Sequence, residues 1–217
     1  ATHLFMLFVF IELASLSSYI LVAFHKESKI GGEAGMKYFI VGSVASAVGI
    51  YGMSLLYLWS GDLSLDALAM KWSESQSVDP LAGIAVGLML VAFGFKVGAA
   101  PFHLAAPDAY SGSSSPVAGL LATASKAMGF VALMRILVSV TMPIEGEAFW
   151  YTAIAVIAVV TMTWGNLAAL TSSNPKRMLA YSSVSHAGYM LAGLAAIGSG
   201  LGSEEAIELV LTAIVFH

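Results

Sequence analysis

The sequence predicts an all-α integral membrane protein with about seven transmembrane helices, one of them broken at a proline. Two observations carry this prediction. Of 217 residues, 59% are hydrophobic and 10% are charged, nine Lys plus Arg against thirteen Asp plus Glu, for a net charge of −4. A soluble domain carries about 25% charged residues. The apolar residues also fall into runs of the ~20 residues that a hydrocarbon core of ~30 Å requires. This composition excludes a disordered chain, which needs low hydrophobicity and high charge, and leaves too little polar surface to cover a soluble fold. There is no basic patch for nucleic acid. The chain has no cysteine, so thiolate zinc sites, Cys-ligated iron–sulfur clusters and disulfides are excluded. No cofactor or metal site is expected.

Taken in order, span A covers about 3–24, with Glu12 as its interior charge. It lacks the basic start and cleavage site of a secretory signal. Span B, about 36–60, carries Lys37 at its start; span C, about 80–107, holds Lys96 and Pro101. Span D, about 116–140, holds Lys126; span E, about 148–170, carries no charge; span F, about 177–198, holds His186. Span G starts near 205, and the stretch from Ile207 to His217 is too short to cross a membrane at ~1.5 Å per residue. Both ends are therefore expected to be cut, leaving residues 1–217 as a single transmembrane domain truncated at both ends.

The loops alternate in charge. Loop A–B holds Lys26 and Lys29, and loop E–F holds Lys176 and Arg177. The opposite loops hold Asp62, Asp66, Lys71, Glu74 and Asp79, then Glu145 and Glu147, then Glu204, Glu205 and Glu208. The Lys/Arg bias predicts that loops A–B, C–D and E–F are cytoplasmic. Residues 61–79, with Trp72 inside them and Trp59 just before, are expected to form a non-cytoplasmic interfacial loop, since Trp favours the headgroup region.

Three charges lie deep in their spans. A charge at the bilayer centre costs about 2.5–3.5 kcal/mol on insertion scales, so it persists where it faces protein or water and has a role. Glu12 shares a helix face with Ser15 and Tyr19. Lys96 shares its face with Ala99, Ala100 and His103; Pro101 lacks an N–H and clashes with the Val97 carbonyl, so span C is expected to break there. A lysine beside a broken helix is how transporter folds build an ion site at the midplane. Lys126 shares its face with Gly119, Ala122 and Gly129, small residues that admit a neighbouring helix or water. His186 lies on a face with Ser182, Ser183 and Tyr189, and histidine is the side chain suited to a proton relay. Each also has a structural reading: a carboxyl hydrogen-bonded between helices, a lysine paired for stability, a histidine merely hydrogen-bonded. Ionisable groups spread over several spans at membrane depth form a proton or cation path. Glu12, Lys96, Lys126 and His186 are its predicted members, with Lys37, His103 and Tyr189 as secondary candidates.

At span C the sequence becomes recognisable. Phe95-Lys96-Val97-Gly98-Ala99-Ala100-Pro101-Phe102-His103, then Ala106-Pro107-Asp108-Ala109-Tyr110 and Ser115-Pro116-Val117, resembles the antiporter-like membrane subunits of respiratory complex I. Ser125-Lys126-Ala127-Met128-Gly129-Phe130 is similar to the family's S-K-x-x-x-F helix. Lys176-Arg177-Met178-Leu179-Ala180-Tyr181-Ser182-Ser183 with His186-Ala187-Gly188-Tyr189 is similar to its K-R-M-L-A-Y-S-S-x-x-H-x-G-Y segment. Glu12, Leu13, Ser15 and Tyr19 match its glutamate helix, and Lys37-Tyr38-Phe39 also fits. The resemblance implies the middle of a fold of about fourteen helices built from inverted five-helix repeats. It assigns Glu12, Lys96 and Lys126 to proton-path positions and implies a further lysine beyond His217. It also implies a bacterial plasma membrane location, other complex I membrane subunits as partners, and proton translocation coupled to electron transfer in other chains, so that the chain is an enzyme subunit without redox chemistry of its own. An Mrp-type cation/proton antiporter, a hydrogenase-linked homologous subunit and a non-conducting structural subunit are the alternatives. The departures are Ala105 for a usual Trp, Ser111 for a frequent Glu and Ser114 for a usual Pro. They put the expected differences in packing at loop C–D.

Overall fold

The computed structural model describes residues 2–25, 27–75, 78–137 and 149–198, together with positions 208 and 212. Every element among the described residues is helical: α1 (Leu4–Val22), α2 (Lys29–Ser60), α3 (Leu65–Glu74), α4 (Pro80–Val97), α5 (Ala106–Gly112), α6 (Ser115–Leu120), a π-helical turn (Leu121–Ser125), α7 (Lys126–Ile136), α8 (Phe149–Thr171) and α9 (Pro175–Gly198). Five stretches are long and apolar enough to cross a membrane: α1, α2, α4, the run Ser115–Ile136, and Trp150–Thr171. They correspond to spans A to E. The sixth predicted span, F, is α9: its 24 residues measure ~36 Å, yet its Ser, His and Lys content keeps it below the same apolarity. Span G falls on residues outside those described, apart from positions 208 and 212.

Three boundaries differ from the sequence prediction. Helix α2 begins at Lys29, seven positions before the predicted start, because the Ser28 hydroxyl accepts the Gly31 N–H at 3.1 Å and caps it. Lys29 and Lys37 are thus helical. The break in span C comes before Pro101. Helix α4 ends at Val97, and Gly98 takes a left-handed φ of 77°. The Gly98 N–H then donates to the Phe95 carbonyl at 3.1 Å, and the Ala99 N–H to the Gly94 carbonyl at 2.8 Å. This pair of bonds is a Schellman cap, which glycine enters without the Cβ penalty. Pro101 sits in the non-helical stretch between α4 and α5 rather than at the helix end. Within 61–79, α3 forms a short helix whose Leu65, Leu68 and Trp72 are buried against the main core. Trp72 meets Trp59 edge to face at 5.4 Å. Its N-terminus is tied to the start of α1 by Leu4 N–H to Leu63 carbonyl (2.8 Å) and Leu65 N–H to Thr2 carbonyl (2.9 Å).

Close packing uses small residues, as expected where lipid removes the hydrophobic drive between helices. A Cβ on Gly165 of α8 would come 2.6 Å from the Ser185 N, and one on Gly188 of α9 would come 2.8 Å from the Met162 N. The two helices therefore touch backbone to backbone. Exposed Phe, Leu, Ile and Val side chains line the outer faces, the surface a bilayer would cover. The main core gathers residues from α1, α2, α3, α4, α7, α8 and α9; a second, smaller cluster packs α5 and its neighbours around Tyr19, Tyr38 and Tyr110.

Candidate functional site

The site is built where the broken span C meets α1, α7, α8 and α9. Glu12, on α1, is half-buried, and the Ser46 hydroxyl of α2 donates to its Oε1 at 2.7 Å. One turn further along α1, the Ser15 hydroxyl donates to the Ile11 carbonyl (2.8 Å) and accepts the Lys96 Nζ at 2.9 Å. Glu12 and Lys96 form no direct ion pair: among the described residues the ion pairs are Lys37–Glu33, Lys37–Asp108 and Arg177–Asp108. Instead Glu12, Ser15, Ser46 and Lys96 line one cavity of about 10 Å³, about the size of one water.

Lys96 and Lys126 are both buried, at 6% and 4% exposed, and both line a second cavity of about 20 Å³ with Tyr38, His103, Tyr110 and Ser125. That is also room for about one water. The two lysines approach through glycine. A Cβ on Gly129 of α7 would come 3.0 Å from the Lys96 Cγ, and one on Gly98 would come 3.5 Å from the Lys126 Cε. The π-helical turn ends immediately before Lys126; such turns recur at functional sites because they re-aim the residues that follow. Lys126 donates to both the hydroxyl (2.6 Å) and the carbonyl of Ser183 on α9. The structural alternative of a Lys126–Glu12 pair does not form.

Ser183 also lines a third cavity, of about 370 Å³, with Tyr110, Gly119, Ala122, Lys176, Ser182 and His186. His186 is exposed among the described residues, and Ser183 rather than His186 faces Lys126. Its ring lies 5.6 Å from that of Tyr189, which is also exposed and accepts from Asn166 at 3.4 Å. His103 is buried in the Lys126 cavity, 6.2 Å from the ring of Trp164. Lys37 sits outside the buried set, at the end of the bundle, paired with Glu33 (2.7 Å) and Asp108 (3.4 Å). Asp108 receives Arg177 as well, at 2.6 Å. The ends of α2, α5 and α9 thus converge on one carboxylate, and Lys176 donates to the Ser113 carbonyl at 2.8 Å beside it. Of the departing residues in loop C–D, Ala105 is buried and Ser111 bonds the Asp108 carbonyl at 3.2 Å.

Two contributors escaped sequence reasoning. Thr161 of α8, wholly buried, accepts the Ala100 N–H of the break at 3.0 Å. Ser46 supplies the donor to Glu12. A threonine or serine inside an apolar span carries no signal of its own, because such hydroxyls usually bond the carbonyl four residues back.

A half-helix ended by a glycine cap beside a buried lysine, followed by a second buried lysine after a π-helical turn, is the broken-helix arrangement in which membrane transport folds hold an ion site. The comparisons agree. The family described as "NADH:quinone oxidoreductase/Mrp antiporter, TM" matches residues 1–217, and the chain belongs to it. NADH-quinone oxidoreductase subunit N of Heliobacterium modesticaldum is 47% identical over 196 residues, covering 89% of this chain and 40% of its own. A chain in respiratory complex I from Thermus thermophilus with bound aureothin superposes with TM-score 0.79 at 36% identity, over 99% of this chain and 44% of its own. A chain of the Mrp complex from a Dietzia species gives TM-score 0.85 at 26% identity, over 100% and 39%. The chain therefore shares its family with subunit N of NADH-quinone oxidoreductase and with an Mrp chain, and it spans about two fifths of the length of the relatives it matches.

Proposed function

We propose that the chain is part of a proton-translocating membrane subunit of an NADH–quinone oxidoreductase, a translocase in which electrons move through other subunits. Protons would pass along Glu12, Lys96 and Lys126 and onward past His186. The observation that carries this reading is the arrangement of three buried or half-buried charges on α1, α4 and α7, each held by a hydroxyl rather than locked in an ion pair, with one water-sized cavity lined by Glu12 and Lys96 and another by Lys96 and Lys126. A charge held by a neutral hydroxyl can gain or lose its proton without leaving an opposite charge unpaired in low dielectric. Changing the charge of a neighbouring carboxylate alters how strongly a buried amine holds its proton, so a drive that acts near Glu12 is felt at Lys96.

On this reading the protein lies in a bacterial plasma membrane, with the ends around Asp108, Lys37 and Arg177 in the cytoplasm. Residues 61–79 then lie at the opposite interface, and the partners are the other membrane subunits of the complex. The test is Lys96→Ala in the assembled complex reconstituted in vesicles. Pumping should be lost while assembly is kept; normal assembly with unchanged pumping would remove Lys96 from the path.

The likeness to the Mrp chain supports a second reading, a cation/proton antiporter. Sodium flux driven by ΔpH through the reconstituted protein would favour it. A structural subunit without conduction predicts that Glu12, Lys96 and Lys126 are all replaceable.

A further inference from the structure

We propose that the Ser183 hydroxyl is the proton relay that joins Lys126 to the wide outer cavity, and that Ser183 and Tyr110 form the wall between the enclosed charges and that cavity. The inference rests on the reading of Lys126 as a proton carrier.

Three observations meet at this wall. Lys126 lines the inner cavity of about 20 Å³ and has no place among the residues of the outer one of about 370 Å³. Tyr110 lines both, and is itself buried. Ser183 lines the outer cavity while holding the Lys126 ammonium at 2.6 Å through its hydroxyl and also through its carbonyl. Ser183 therefore joins Lys126 to the outer cavity by a direct hydrogen bond.

The chemistry suits a relay. A serine hydroxyl has one proton to donate and two lone pairs to accept with. On α1 the Ser15 and Ser18 hydroxyls spend that proton on the carbonyls of Ile11 and Ala14, both at 2.8 Å. The Ser183 hydroxyl receives Lys126 as Ser15 receives Lys96, its carbonyl fixes the direction of the ammonium, and its side chain also hydrogen-bonds Tyr110 of the wall. The transfer balances as follows. One Lys126 Nζ–H bond breaks and its proton bonds to the Ser183 Oγ. The proton already on that oxygen leaves to a water molecule in the outer cavity. Lys126 is left as a neutral amine, Ser183 is unchanged, and the charge sits on a hydronium ion beside Ser182 and His186. The outer cavity has room for many waters, since about 10–15 Å³ holds one, and its rim residues Gly119, Leu179 and His186 are exposed. His186, the exposed histidine of the set, then becomes the acceptor on the far side of the wall.

The experiment uses the full-length subunit in the assembled complex, reconstituted in vesicles, with NADH-driven proton pumping and complex content measured together. Ser183→Ala keeps the carbonyl partner of Lys126 and removes the relay. Its pumping rate should fall about tenfold, the rate equivalent of one lost hydrogen bond, with complex content unchanged. Ser183→Thr should restore the rate. Should Ser183→Ala fail to assemble, the isosteric pair Ser183→Thr and Ser183→Val decides, because only the first keeps a hydroxyl. Equal pumping by that pair overturns the inference, as does parental pumping by Ser183→Ala when Lys126→Ala is impaired. Parental pumping by Lys126→Ala overturns the reading on which the inference rests.

Discussion

The Ala100 N–H donates to the Thr161 hydroxyl at 3.0 Å, and that hydroxyl donates in turn to the Ile157 carbonyl at 2.6 Å. A side chain on α8 thereby satisfies a backbone donor set free by the break after α4. Inside a membrane such a donor has no water to turn to. Thr161→Val should leave the N–H unpaired and cost about 1–3 kcal/mol. Thr161→Ser keeps the acceptor and loses one methyl, about 0.8 kcal/mol. Thermal unfolding of the detergent-solubilised complex separates the two; equal losses would show that the hydroxyl does not support the break.

Gly98 and Gly129 make opposite demands of a methyl group. At Gly98 the obstacle is backbone: φ is 77°, while an added Cβ would stand an ordinary 3.5 Å from Lys126. Gly98→Ala should therefore cost about 1–2 kcal/mol through conformation alone. At Gly129 the backbone is unstrained, but a Cβ would sit 3.0 Å from the Lys96 Cγ and 3.1 Å from the Val97 Cγ1. Gly129→Ala should push α4 aside and impair pumping, with a smaller loss of stability than Gly98→Ala. If the ranking of stability loss is reversed, the packing at Gly129 is tighter than the pumping argument assumes.

How far the sequence was legible follows from what each feature depends on. Apolar runs report burial in lipid directly, so spans A to F were found, with E and F within two residues of α8 and α9. The start of α2 lies before the predicted one because the Ser28 cap and close contacts at Gly31 and Gly35, which are tertiary, extend the helix past the apolar run. In the fold Gly31 lies 3.1 Å, Cβ to oxygen, from the Gly112 carbonyl, and Gly35 packs on Ala23. The charges Glu12, Lys96 and Lys126 were legible because their cost in a membrane demands a reason. Their hydroxyl partners Ser15 and Ser183 were visible only as polar residues sharing a helix face, and Ser46 gave no signal, since pairing across helices is set by tertiary packing. The break was attributed to Pro101, whereas Gly98 ends the helix three residues sooner. Proline forbids helix, but the glycine cap offers the chain a favourable place to stop first.

Asp108 collects Arg177 at 2.6 Å and Lys37 at 3.4 Å, with Arg177 and Lys37 41% and 49% exposed. Partly solvated pairs of this kind contribute about 0.2–1 kcal/mol. A double-mutant cycle over Asp108→Ala and Arg177→Ala should return a coupling energy in that range, falling as salt is raised. Because the carboxylate ties α2 to α9 through α5, Asp108→Ala should also lower complex content while pumping per complex is kept. Lost pumping at normal content would place Asp108 in the proton path instead of the frame.

The Ser46–Glu12 bond makes a sharper demand on the proposed path. At 2.7 Å the hydroxyl supports a half-buried carboxylate, and a hydrogen bond to a charged group contributes about 1.5–3 kcal/mol. Ser46 acts only through Glu12, so the two should not be additive. Ser46→Ala should slow pumping less than Glu12→Gln, and the double variant should pump no worse than Glu12→Gln alone. Ser46→Thr should retain the parental rate, because its hydroxyl can still donate. Additive losses in the double variant would mean that Ser46 serves the protein by a route independent of Glu12, most simply by packing α2 against α1.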